Sequence, residues 1–157
     1  MIFPILKRKS TPVLLLALTF IVTLGSCTVS DDPVPMKIGS DECTGCKMVI
    51  ADGKFASEVI TDRGRVMKFD DVSCLFHFIK RQGIPMEKIL KIYVADYQHP
   101  DQLVDIKEAS LVMGADIHSP MNGGVAVFAS KEEAMKFAEE TKSALLKSWD
   151  VLVQKHE

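Results

Sequence analysis

The sequence predicts an α+β fold: two similar ββαβ-like units that share a core, followed by a C-terminal helix. Two observations carry the repeat. Strand-like runs and helix-like runs follow in the same order in both halves of the chain. A shift of 59 residues also places Val66 on Val125, Phe69 on Phe128 and Phe78 on Phe137, so in each half a strand ends in Phe and a capped helix follows. A third observation closes the chain: residues 143–154 read as a final helix that Trp149 packs down.

The elements follow in order. Residues 47–50 are a short strand candidate, and Asp52-Gly53 is a turn signal. Residues 55–61 have strand composition, Asp62-Arg63-Gly64 makes the next turn, and residues 65–69 form the second arm of a hairpin. Asp70 or Asp71 supplies the N-cap of a helix over 72–81, whose apolar residues Val72, Leu75, Phe76 and Ile79 share one face. Gly83 stops it. Residues 89–95, rich in Ile, Val and Tyr, read as a buried strand. The second half gives strands at 103–106, 110–113 and 125–129, the last after the Gly123-Gly124 turn. Ser130, with Glu133 three residues on, forms a capping box for a helix over 131–142.

The N-terminus sets the compartment. Lys7, Arg8 and Lys9 precede an uncharged twelve-residue run, 13–24. That run is shorter than the roughly 20 apolar residues of a membrane span and fits an export signal. It ends in Leu24-Gly25-Ser26-Cys27, a lipobox-like order in which Cys27 takes a lipid and residues 1–26 are removed as a lipoprotein signal peptide. Thr28, rather than Asp, favours the outer membrane over the inner one, facing the periplasm. Losing three basic residues and no acidic one takes the formal charge from −2 to −5, which leaves no basic footprint for nucleic acid. Residues 27–40, with two Pro and two adjacent Asp, read as a flexible tether. Residues 41–157 form the folded domain, in halves of about 41–98 and 99–157.

Beyond Cys27, three cysteines remain: Cys43, Cys46 and Cys74. Unpaired thiols in an oxidising compartment suggest a metal, a redox role, or one disulfide plus a buried thiol. Cys43-x-x-Cys46 is compatible with a loop disulfide, a dithiol redox pair or half of a zinc site. A second CxxC or HxxxH is missing, which weakens zinc. The motif runs into strand-like sequence, whereas a thioredoxin-like pair opens a helix that depresses its thiol. Met48 changes the balance. If 46–48 is extended, Cys46 and Met48 project from one face, and a thiolate with a thioether is a soft pair that favours Cu(I). A second thioether stands in His118-Ser119-Pro120-Met121-Asn122-Gly123-Gly124, a tight loop in which Met121 is either a plug over the core or a donor aimed at the first cluster. His118 reads as an exposed loop residue or an imidazole ligand. Cys74 reads as a small buried hydrophobe on the first helix, and Met67, Met86, Met113 and Met135 read as core. Nothing suggests a Ser/His/Asp set, a phosphate loop or paired catalytic carboxylates, so the chain does not read as an enzyme. A lipid-anchored dithiol–disulfide oxidoreductase and a structural adaptor lipoprotein are the alternatives to copper handling.

The lipobox, Cys43-x-x-Cys46-x-Met48-x-Ile50, Phe69-Asp70-Asp71-x-x-Cys74-Leu75-Phe76, Asp96-Tyr97 and Ser119-Pro120-Met121 occur in this order. Together they resemble the NosL family, the lipoprotein accessory of nitrous oxide reductase. The resemblance implies a fold of two ββαβ-like units related to organomercurial lyase. It implies a periplasmic Cu(I) metallochaperone, passing copper through an ABC-type inner-membrane complex toward the enzyme's copper–sulfide centre. It implies Cys46, Met48 and Met121 as ligands, with Cys43 or His118 as additions. The chain departs from the family's pattern in Lys47 and Asn122, each standing for a frequent Gly, and in Leu103 for a frequent Trp. Lys47 places a cation beside the thiolate.

Overall fold

The computed structural model describes residues 28–146 and 149–156, so Cys27 and the signal peptide reading lie outside the described residues. In the first half, β1 (Ser57–Thr61) and β2 (Val66–Phe69) form an antiparallel hairpin, α1 (Val72–Gln82) follows, and β3 (Ile89–Ala95) returns antiparallel to β1. A short strand, β4 (Leu103–Asp105), adds to β3 and completes a sheet of order β2-β1-β3-β4. The second half repeats the plan with β5 (Ser110–Met113), β6 (Val125–Phe128), α2 (Lys131–Glu140) and β7 (Ala144–Leu145), in sheet order β6-β5-β7. A terminal helix, α3 (Asp150–His156), ends the chain. The α+β architecture and its two ββαβ units are those that the sequence predicts. No helix among the described residues is long and apolar enough to cross a membrane.

The repeat extends to packing. The strand-end residues Phe69 and Phe128 are both fully buried, and each meets its helix's Phe, Phe78 at 5.5 Å and Phe137 at 5.2 Å between ring centroids. The helix ends follow local chemistry. Asp71 caps α1 by accepting from the Ser73 N–H at 2.6 Å, and Gly83 stops it at φ 59°, where a side chain would be strained. Val72, Leu75, Phe76 and Ile79 are all buried, each worth about 1.5–3 kcal/mol of transfer free energy. Ser130 caps α2 through the Glu133 N–H. Asp96-Tyr97 ties the halves together. Asp96 accepts from the Ala129 N–H at 3.0 Å, the Tyr97 N–H donates to the Val127 carbonyl at 2.7 Å, and the Tyr97 ring packs on Phe55, Phe128 and Phe137.

Three expectations are corrected. Residues 47–50 are not a strand: only a single bridge pairs Val49 with Glu42, because Lys47 sits at φ 68° and breaks the extended run. The predicted helix over 143–154 is instead β7, a connection and α3. Lys142 is left-handed at φ 52°, and the chain turns onto the open edge of β5, where Leu145 pairs with Val112 and the Leu146 N–H donates to the Leu111 carbonyl. An unfilled ladder edge offers those backbone groups partners that continuing the helix would have to replace. Met135 faces solvent on α2 rather than the core, whereas Met67 is buried.

Residues 28–40 run along the first sheet and hydrogen-bond to it at three points. The Tyr93 hydroxyl donates to Asp31 O at 2.9 Å, the Lys68 ammonium to Pro35 O at 2.8 Å, and the Val34 N–H to Glu58 Oε1 at 2.8 Å. Glu58 is fully buried, its second carboxyl oxygen has no partner among the described residues, and burial pushes its carboxyl above the ordinary glutamate range. A raised acid binds its proton more tightly in the folded state, so stability should fall as pH rises from the ordinary glutamate range through the folded value. Denaturant midpoints measured across that range are expected to show this slope, and Glu58→Gln to flatten it. A variant slope equal to the parent's would assign the pH dependence elsewhere.

Candidate metal centre

Three distant stretches of chain meet against the first turns of α1. The first is the Cys43–Met48 turn. The Lys47 N–H donates to the Cys43 carbonyl at 3.0 Å, and the Cys43 N–H donates to the Met48 carbonyl at 2.8 Å. This folds both cysteines inward and leaves the Met48 side chain outside, 51% exposed. The Thr44 N–H donates to the Lys68 carbonyl at 2.7 Å and pins the turn to β2. Gly45, at the apex, lies so close to α1 that a Cβ there would stand 2.6 Å from Cys74 Sγ.

The second stretch is Asp70 to Cys74, where β2 hands over to α1. Cys43 Sγ lies 3.4 Å from Cys74 Sγ, and Cys46 Sγ donates to Asp70 Oδ2 at 3.5 Å. The ligating atoms of Cys43, Cys46, Asp70 and Cys74 all lie within 4.8 Å of one another, and the three cysteines are free thiols. Cys43, Asp70 and Cys74 are buried and Cys46 is half-buried. Burial pushes the Cys46 thiol up, outweighing the Met48 backbone N–H that favours its thiolate, and burial raises Cys74 strongly as well.

The third stretch is the Ser119–Gly124 loop. The Asn122 N–H donates to the Ser119 carbonyl, and Ser119 Oγ accepts from the Gly123 and Gly124 N–H groups at 2.9 and 3.2 Å. This puts Met121 at the turn's tip. The Met121 N–H donates to Asp71 Oδ2 at 3.2 Å, so one carboxylate both caps α1 and holds the loop over it. Gly123 fits because a Cβ there would collide with Ser73 Oγ.

The result is an open pocket lined by Gly45, Cys46, Cys74, His77, Phe78, Arg81 and Met121. Of the residues read from the sequence as ligands, Cys46 and Met121 share this pocket, Cys43 stands behind Cys46 in the thiol group, and Met48 is exposed beside the Cys46 turn. Met48 does not share a strand face with Cys46, since no strand forms there. His118 is exposed and outside the group. Cys74 and Asp70 are the members that sequence reading passed over. The odd number of thiols was the signal for Cys74; periodicity alone marked it as core.

These features define a class: a two-repeat α+β domain with a thiol and thioether pocket at the junction of its halves. The chain belongs to the NosL family, whose model matches residues 33–154. Its fold is similar to that of the copper chaperone NosL from Shewanella denitrificans, with a TM-score of 0.63 and 20% identity over 74% of this chain and 93% of that one. No curated protein matches the chain.

Both departures from the family's frequent glycines fall on left-handed backbone, Lys47 at φ 68° and Asn122 at φ 56°. Asn tolerates that region and Lys does so only at a cost of about 1–2 kcal/mol, partly offset by glycine's greater chain entropy. Lys47→Gly is expected to raise stability by about 0.5–1 kcal/mol, read from the denaturant midpoint. A loss of stability would show that the Lys47 side chain makes a favourable contact that outweighs its backbone strain.

Proposed function

We propose that this chain is a copper chaperone that carries Cu(I) as cargo on Cys46, Met48 and Met121, with Cys43 behind them, and gives it up to a protein partner. One observation carries the reading: Cys46 and Met121, far apart in sequence, line the same open pocket. Thiolate and thioether are soft donors that suit a monovalent copper ion. The two thioethers are exposed and have no proton to lose, so they can accept or release the ion at the surface. Met48 has three rotatable side-chain bonds with which to reach over the Cys46 turn. Three ligands leave a coordination position open for an incoming thiol or thioether, so the ion moves one bond at a time.

The wider setting is part of the same proposal. Cys27 carries a lipid that holds the domain at the outer membrane, facing the periplasm. The copper passes to the nitrous oxide reductase assembly machinery, including an ABC-type complex of the inner membrane, for the enzyme's copper–sulfide centre. The chain is a carrier and not an enzyme. A dithiol oxidoreductase would need an attacking thiol with a depressed pKa, and burial moves Cys46 the other way. An inert stapled adaptor would hold its CxxC as a disulfide, and both cysteines are free.

Anaerobic Cu(I) titration against a competing chelator tests the assignment. The double variant Met48→Ala, Met121→Ala is expected to bind the first equivalent at least about tenfold more weakly, the scale of one lost ligand contact. Unchanged affinity in that variant would remove both thioethers from the site.

A further inference from the structure

We propose a second, inner copper position, in which Cys43 and Cys74 hold another Cu(I) behind the rim site and Cys46 bridges the two ions. This rests on the copper reading above and assigns a metal bond to two thiols that the three rim ligands do not include. The geometry is close to ready. Metal–sulfur bonds of about 2.3 Å place three sulfurs around one ion at mutual distances of roughly 4 Å. The sulfurs of Cys43, Cys46 and Cys74 already lie within 4.8 Å of one another, with Cys43 and Cys74 at 3.4 Å. They need to part by well under 1 Å to admit the ion.

A buried carboxylate stands in the same group. Asp70 is 2% exposed, and among the described residues one of its oxygens accepts from the Cys46 thiol and the other has no partner. The backbone is shaped for the same contact, since Gly45 lets the turn lean directly on Cys74 Sγ.

The rim fills first, because binding there displaces a proton from one thiol, whereas the inner position must displace protons from two more. The inner position fills second, and each thiol that becomes a ligand there releases one proton to solvent. Cys46 belongs to both sets, so an ion can pass between them without leaving sulfur.

The test is stoichiometric Cu(I) titration of the reduced protein, with X-ray absorption at one and two equivalents. The wild type is expected to take two equivalents, with a short copper–copper vector at the second. Cys43→Ser with Cys74→Ser is expected to take one, which still depends on Met48 and Met121. Gly45→Ala, which keeps every thiol but pushes on Cys74, is expected to lose the second equivalent too, and it serves if the double variant fails to fold. Saturation of the wild type at one equivalent, or a second equivalent that survives in either variant, overturns the inner position. Loss of the first equivalent's dependence on Met48 and Met121 would instead overturn the rim reading, so the two failures are distinct.

Discussion

Cys46→Ser is expected to lower Cu(I) affinity by more than about a hundredfold, beyond the 10–100-fold typical of residues that merely support a ligand. Cys46 is the thiol common to the pocket rim and the buried thiol group. A serine hydroxyl is a hard, weakly acidic donor and does not replace a thiolate for a soft ion. The same residue sets a pH dependence. Burial holds the Cys46 thiol protonated through neutral pH, so copper must displace a proton to bind. Apparent affinity should therefore rise with pH, by about tenfold per unit for each thiol deprotonated on binding. Competition titrations at several pH values are expected to show that rise in the parent and a slope reduced by one proton in Cys46→Ser. A variant that binds copper as tightly as the parent would remove Cys46 from the ligand set.

Asp71→Ala is expected to destabilise the domain by about 2–4 kcal/mol, from a lost helix cap and a lost hydrogen bond to a charged acceptor. Asp71 is buried, and its two oxygens serve the Ser73 N–H at 2.6 Å and the Met121 N–H at 3.2 Å. Without it the first turn of α1 frays and the Met121 loop loses its brace, so copper affinity should fall about tenfold alongside stability. Asp71→Asn separates the two effects. Asn caps a helix as well as Asp does, but its amide NH2 presents a donor to one of the two N–H groups. Stability in Asp71→Asn is expected to recover in larger part than copper affinity. If Asp71→Ala unfolds at the parent's denaturant midpoint, the carboxylate is not the brace described.

The local part of the design was legible. The α1 face of Val72, Leu75, Phe76 and Ile79, its Asp cap and its Gly83 stop are all set within a few residues of each other. The 59-residue repeat was legible too, because Phe69 and Phe128 occupy equivalent strand ends and each packs on its own helix's Phe. What failed were places where neighbours in space overrode local preference. Residues 144–145 have helix-compatible composition, yet the open edge of β5 takes them as a strand. Residues 47–50 have strand composition, yet the turn that folds Cys43 and Cys46 inward requires Lys47 in a left-handed conformation. Met135 fits a helical apolar pattern, but no element among the described residues covers it.

The sequence by itself determined the kinds of donor this protein owns, the order of its elements and the presence of two similar halves, because residue type, capping and periodicity are local properties. It did not determine which donors meet. Cys74 was indistinguishable from a core residue until the Gly45 turn packed on it, and Asp70 was only one of two cap candidates until Asp71 took the cap. The meeting of Cys46 with Met121 depends on a loop from the second half being held to the first half's helix by Asp71. Contacts between residues so far apart are set by how the halves pack, and no spacing along the chain encodes that.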